Sequence, residues 1–252
     1  APENHGIVFC RIDLPEQPRV HAIVSQVEAT NRGTTIKSGE ASVQTVEHVL
    51  SALQGLGIDN ALIEVDGPEV PIMDGSAAPF ADKIIAAGIQ EQSAERHFFE
   101  IYEPITIKDE ETGSEITALP SDNYELTCMI DFNSPVLGPQ FAEVKNMEGY
   151  HENIAPCRTF VFLHELHNLA DKDLIKGGDI DNAIVIVDKL LKQKELDNLA
   201  KKLQKPSMRI TEEGVLNNVK LRFRNEPARH KLLDLIGDLA LIGQPIKGKI
   251  IA

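Results

Sequence analysis

Ser42-Val43-Gln44-Thr45-Val46-Glu47-His48-Val49-Leu50-Ser51-Ala52-Leu53-Gln54-Gly55-Leu56-Gly57-Ile58-Asp59-Asn60-Ala61-Leu62-Ile63-Glu64-Val65 changes periodicity part-way through. Val46, Val49, Leu50 and Leu53 stand at i, i+3, i+4 and i+7, the spacing of one helix face. Ser42 or Thr45 is placed to cap that helix, and Gly55 and Gly57 mark its end. Ala61–Val65 then reads as a strand, closed by Gly67-Pro68. Upstream, Ile7-Val8-Phe9 and Val20-His21-Ala22-Ile23-Val24 read as two strands broken at Pro15-Glu16-Gln17-Pro18. Downstream, Phe80 to Ala87 is a short helix ending at Gly88. The pattern is strands with helices attached, which is the α+β class.

The same pattern occurs a second time. Gln90 to His97 is polar and unpatterned, as expected of a domain boundary. Beyond it, Phe98–Ile107, Glu115–Leu119 and Tyr124–Phe132 alternate like strands. Ala183-Ile184-Val185-Ile186-Val187 is a continuous apolar run, suited to a strand buried on both faces. Lys189–Lys205 is an amphipathic helix by pattern. Pro227–Leu241 is a further helix, with Pro at its first position and Asn225 or Glu226 before it. Two α+β domains follow, residues 1–92 and 97–252. Ile58–Asp66 and Ile180–Asp188 echo one another, either as the trace of a duplication or as recurring turn chemistry before a strand.

Composition excludes several classes. The chain has 252 residues, 25 Lys+Arg and 39 Asp+Glu, for a net charge of −14, and this acidity argues against a nucleic-acid binder. No run of apolar residues is long enough to span a membrane, and the start lacks the basic and apolar blocks of a signal peptide. Cys10, Cys128 and Cys157 are odd in number and far apart. They exclude a disulfide framework and point to a reducing, cytoplasmic compartment, where they read as buried small hydrophobes. The chain begins without Met and stops on the strand-like Ile250-Ile251-Ala252, as a fragment would.

Two constellations carry chemistry. His230, Asp234 and Asp238 lie at i, i+4 and i+8, stacked on one helix face, with Leu232, Leu233, Leu235, Ile236 and Leu239 opposite. The face is either solvated or a place where an imidazole and a carboxylate hold one metal ion. Glu47-His48 is the second. His48 falls roughly 150° from the centre of its helix's apolar stripe, so the pair is either a surface pair or part of a site. A zinc hydrolase needs three N/O ligands, an open position and a carboxylate to take a proton from water. His48, His230, Asp234 and Glu47 have that inventory.

Four motifs carry a family resemblance: Thr45–Asn60, Val70-Pro71-Ile72-Met73-Asp74-Gly75-Ser76-Ala77, Cys157-Arg158-Thr159-Phe160 and His230–Leu239. In this order the chain resembles the zinc-dependent UDP-3-O-acyl-N-acetylglucosamine deacetylases. The resemblance implies two α+β domains of similar topology, each a sheet layered on helices, with the active site between them. It implies removal of the N-acetyl group from a UDP-sugar bearing a hydroxyacyl chain, the committed step of lipid A synthesis in Gram-negative bacteria. Carried across, His48, His230 and Asp234 bind Zn2+ and Glu47 is the general base. Thr159 steadies the oxyanion, and Lys231 sits near the anionic part of the substrate. Arg158, Lys247 and Lys249 would help with the diphosphate, and Phe160 would contact substrate. An acyl-chain passage is implied at about 161–187, with Leu163, Leu166, Leu169, Leu174, Ile175 and the Gly177-Gly178 turn; core packing is the alternative for these.

The segment from Lys189 to Asn218 resembles forms fused to a downstream 3-hydroxyacyl-carrier-protein dehydratase. The family's first strand and its Gly-Leu-His-Ser/Thr-Gly segment are missing at the N-terminus. A Gly-His pair, whose histidine is the family's general acid oriented by the residue matching Asp238, falls past Ala252. Loss of such an acid lowers rates on the order of 10²–10⁴. The alternatives are therefore an impaired fragment, a non-catalytic sugar-nucleotide-binding module, or a zinc amidohydrolase acting on another acetamide. His5, His21, His97 and His151 stand alone. His164 and His167 share an HxxH spacing without a complete ligand set.

Overall fold

The computed structural model describes residues 1–166, 183–202 and 206–252. Strand β1 (Ile7–Arg11) pairs antiparallel with β2 (Arg19–His21). β3 (Val27–Ala29), β4 (Thr35–Ser38) and β5 (Ala41–Val43) form an antiparallel meander. β6 (Ala61–Val65) returns parallel to β1 after a crossover that contains the helix Glu47–Gly55. Val46, Val49 and Leu50 are buried with Phe9, Val20, Ile36 and Val43, and Leu53 is buried as well, as the spacing requires.

The expected caps are corrected. Ser42 pairs with Lys37 in β5, so it precedes the helix. Thr45 has φ +57 and gives its hydroxyl to Glu69 at 2.7 Å. Val46 stands at the N-cap with no side-chain cap bond. The chain leaves the helix at Gly57, φ +70, a conformation that favours glycine. Val24 also departs from expectation, opening a 3₁₀ turn instead of extending β2. A helix at Ala78–Ala87 ends at Gly88 as read, and 90–97 is exposed coil.

The second large sheet uses β7 (Phe99–Glu100), β8 (Ile105–Lys108), β9 (Glu115–Leu119), β10 (Tyr124–Ile130), β11 (Gln140–Val144) and the last strand. Its order is β11-β10-β14-β9-β8, where β14 is Ile246–Ile251 and β7 also pairs with β14. The helix Glu226–Leu239 lays Leu232, Leu233 and Ile236 on Leu126, Cys128, Ile130 and Ile250 of this sheet. β11 was not anticipated. Its buried Ala142 sits between the exposed Phe141 and Glu143, so its inward face is marked by one small residue.

β12 (Phe160–Phe162) and β13 (Ile184–Ile186) make a parallel pair, with Ile184, Val185 and Ile186 fully buried. The amphipathic helix spans Gln193–Lys202. Leu163 is 1% exposed among Leu166, Val185, Leu196 and Leu216, in the manner of a core residue. His167, Leu169, Leu174, Ile175, Gly177 and Gly178 lie outside the described residues.

What positions the site is the crossing of the helices Glu47–Gly55 and Glu226–Leu239. A Cβ on Gly237 would stand 2.0 Å from the backbone oxygen of Glu47. Only a residue without Cβ lets the helices approach this closely, and the approach carries Glu47 and His48 onto the His230–Asp234 face.

Candidate metal centre

His48, His230 and Asp234 each offer a ligand atom, and these atoms all lie within 4.8 Å of one another. The imidazole rings meet edge to face, with centroids 5.0 Å apart. Nε2 of His230 is 3.3 Å from Asp234 Oδ1, and Nε2 of His48 is 3.5 Å from the same oxygen. His230 donates its Nδ1–H to the carbonyl of Cys157 at 2.9 Å, which leaves Nε2 as the free lone pair. The surface-pair alternative fails on burial, with Glu47 6% and His48 4% exposed; on the other face His230 is buried at 2%, Asp234 is half-buried and Asp238 is exposed.

Charge follows from these contacts. Burial pushes the His230 imidazole down to about 4, so it is neutral near pH 7. Burial opposes the Asp234 charge, but His230, His48 and Lys231 outweigh it and hold the carboxyl well below the usual range. Lys231 donates to Asp234 Oδ2 at 2.9 Å. Burial works against that ammonium as well, yet Asp234 raises it overall. Among the described residues Asp234 Oδ1 is buried with no hydrogen-bond partner. An orphaned carboxylate oxygen facing two imidazole nitrogens is costly unless a cation completes it. Two N donors and one O donor fit three-ligand tetrahedral zinc with an open fourth position.

Burial raises the Glu47 carboxyl above the usual carboxylate range, against the lowering by the Thr34 N–H, which it accepts at 3.0 Å. Thr34 gives its hydroxyl to Asp238 at 2.6 Å, so one residue ties Glu47 to Asp238. Gly33 lies against Glu47, with a would-be Cβ 3.0 Å from Oε1. Nothing in the sequence marks Gly33 or Thr34, because they reach the site by tertiary packing of a loop. Thr159 is half-buried; its N–H bonds Gly75 O at 2.7 Å and its carbonyl accepts from Ile184 at 2.8 Å. The Phe160 ring is 6.1 Å from His230 and joins Phe132 and Phe162 in an aromatic cluster.

One expectation is corrected. Arg158 is 7% exposed and engaged with Glu226, Nε to Oε1 at 3.0 Å, so its guanidinium is not free for a phosphate. Lys247 and Lys249 lie on β14 with partly exposed side chains, in surface pairs with Glu100 at 3.2 Å and Glu125 at 3.9 Å. His164 pairs with Asp188 and stacks on Phe162. A cavity of about 610 Å³ opens elsewhere, between Leu53, Gln54, Gly57, Arg96 and Pro245, and none of the three candidate ligands lines it.

The family model described as LpxC: UDP-3-O-acyl N-acetylglycosamine deacetylase matches residues 1–200 and 198–252. The chain belongs to the LpxC family. Its relatives include a bifunctional enzyme LpxC/FabZ of Bacteroides thetaiotaomicron, 47% identical over 252 residues, which cover 100% of this chain and 55% of that protein. A bifunctional enzyme LpxC/FabZ of Chlorobaculum tepidum is 46% identical over 255 residues, with 100% and 55% covered. A UDP-3-O-acyl-N-acetylglucosamine deacetylase of Legionella pneumophila (strain Corby) is 41% identical over 251 residues, with 98% and 74% covered. The chain thus spans about half the length of the bifunctional LpxC relatives it matches. Among the described residues no helix is long and apolar enough to cross a membrane.

Proposed function

We propose that this LpxC-family chain carries the deacetylase unit of a zinc-dependent enzyme that hydrolyses the N-acetyl group of a UDP-3-O-(3-hydroxyacyl)-N-acetylglucosamine, in lipid A synthesis. The observation that carries the reading is the orphaned Asp234 Oδ1 between the Nε2 atoms of His48 and His230. These three residues would hold the ion. Bound there, zinc would supply Lewis acidity, making water acidic and polarising an amide carbonyl.

The remaining work falls to the chain's own side chains. Glu47, kept basic by burial, takes a proton from the attacking water. As oxygen adds to the acetamide carbon, the Thr159 hydroxyl donates to the developing oxyanion. The C–N bond then breaks, leaving acetate and the free amine of the sugar. Protonation of that amine is assigned to the family's Gly-His histidine, oriented by Asp238, which Thr34 holds. Lys231, anchored on Asp234, faces the anionic part of the substrate. The domain division at 92–97, with the site between the halves, belongs to the same proposal, as does a cytoplasmic location, supported by three free, buried cysteines. The bifunctional relatives support a fused dehydratase unit in the whole protein.

The test is release of acetate from the acylated UDP-sugar, assayed on this chain and on one extended past Ala252. Glu47→Ala should retain zinc and lose turnover in the extended protein. Full turnover by Glu47→Ala would remove Glu47 from the chemistry. Turnover of free N-acetyl sugars equal to that of the UDP-linked, acylated one would overturn the substrate class.

A further inference from the structure

We propose that Glu226 is a positioning residue for the metal centre, acting through Arg158 on the His230 imidazole and on Thr159. The inference rests on the metal-dependent reading above and adds a residue to it. Glu226 is the first residue of the His230 helix and is 0% exposed. Its Oε1 accepts the Arg158 backbone N–H at 3.1 Å and Arg158 Nε at 3.0 Å. Its Oε2 accepts Arg158 Nη2 at 3.1 Å and the Arg222 backbone N–H at 2.6 Å. Arg158 Nη2 also reaches Lys220 O at 2.7 Å.

The clamp bears on the reaction through the residues that flank Arg158. Cys157 supplies the carbonyl that accepts His230 Nδ1–H, and Thr159 follows directly. Glu226 and His230 are i and i+4 on one helix face, so the carboxylate fixes the segment Cys157–Thr159 against the same helix whose imidazole that segment orients. Arg222 extends the tie, donating to Asp74 Oδ2 at 2.8 Å, next to Gly75, whose carbonyl holds Thr159 N–H. A buried ion pair is weak evidence for stability, because an apolar pair of similar volume often does as well. An apolar side chain, however, cannot accept the backbone N–H groups of Arg158 and Arg222. What the carboxylate uniquely provides is registration of the segment that leads into β12, and the helix N-terminus favours its charge.

The experiment measures zinc affinity by competition, the absorption spectrum of the cobalt-loaded chain, the His230 Nδ1–H resonance of the metal-free chain, and Tm. The variants are Glu226→Gln, Arg158→Lys, His48→Ala and Tyr150→Phe. Partners that orient a metal-ligating histidine typically contribute 10- to 100-fold in affinity, so Glu226→Gln should weaken zinc by about that factor. It should also shift the cobalt spectrum and move the Nδ1–H resonance. Arg158→Lys, which loses the forked geometry but keeps the charge, should move them in the same direction by less. Tyr150→Phe is the structural control: it deletes the buried hydroxyl contact with Ser51 at 2.9 Å and none of the hydrogen bonds of Glu226 or Arg158. It should lower Tm with affinity, spectrum and resonance unchanged.

If Glu226→Gln and Arg158→Lys lower Tm while zinc affinity, spectrum and resonance stay at wild type, the positioning role is overturned. His48→Ala separates the two claims. Lost zinc in His48→Ala with normal zinc in Glu226→Gln sinks this inference alone. Normal zinc in His48→Ala sinks the metal reading and this inference with it.

Discussion

Gly237→Ala should destabilise the chain and loosen its metal centre, although helix propensity alone argues the reverse. In an unobstructed helix, alanine is favoured over glycine by about 1 kcal/mol. Here the added Cβ would lie 2.0 Å from Glu47 O, 2.8 Å from Glu47 C and 3.0 Å from Glu47 Cα. These are backbone atoms inside a helix, so no rotamer relieves them. Separating Cβ and oxygen to the shortest contact real structures tolerate moves one helix by about 1 Å relative to the other. Overpacking of this kind costs about 1–3 kcal/mol, and more where backbone must move. At about 2–4 °C per kcal/mol for a chain of this size, Tm should fall by about 2–12 °C. The same shift carries Glu47 and His48 away from His230 and Asp234. Misplacement by about 1 Å can cost about 10²-fold in rate, and zinc affinity should fall with it. Calorimetry and a zinc competition titration read both effects. A variant with Tm and zinc affinity at or above wild type would refute the close helix crossing as the device that assembles the site.

Gly33→Ala should act on the base alone. Its Cβ would press Glu47 Oε1 at 3.0 Å while Thr34 holds Oε2, so zinc content should be unchanged and turnover of the extended protein should fall by about tenfold or more. Unchanged turnover would show that Glu47 can give way at no cost to its role. The buried thiols make a separate prediction. Burial pushes Cys157 up to about 12 and Cys128 up to about 11, from an ordinary 9.0. Cys157 and Cys128 of the native chain should therefore resist thiol reagents at pH 8 until it is unfolded. Since the folded state binds more protons than the unfolded one between these values, stability should fall as pH rises from about 9. Rapid labelling of native Cys157 at pH 8, or stability flat across that range, would contradict the burial.

Periodicity made the helices legible. Val46, Val49, Leu50 and Leu53 marked one buried face, and His230 and Asp234 stood a helical turn apart, so both sets of side chains could be placed from spacing. The crossing was not legible. Gly237 has the same meaning in sequence as any mid-helix glycine, and only Glu47 O, 190 positions away by number, explains it. Thr34 is in the same position: its bond to Asp238 spans 204 residues, and no local pattern reports such a contact. Arg158 misled for a related reason. A cation beside Thr159 reads as a phosphate ligand until Glu226, 68 residues on, is seen to neutralise it. The expected caps failed because turn residues can serve a strand end or a left-handed corner equally well, as Ser42 and Thr45 do.

The central claim is that His48, His230 and Asp234 form one zinc site. The most direct measurement is zinc stoichiometry and affinity of the wild-type chain against His48→Ala, His230→Ala and Asp234→Ala, with folding checked by circular dichroism. One tightly bound zinc per wild-type chain is expected, with affinity weakened by at least about 100-fold in every folded variant, because two protein ligands fall short of the three that hold such a zinc. Stoichiometric zinc held at wild-type affinity after loss of His48 or Asp234 would contradict it.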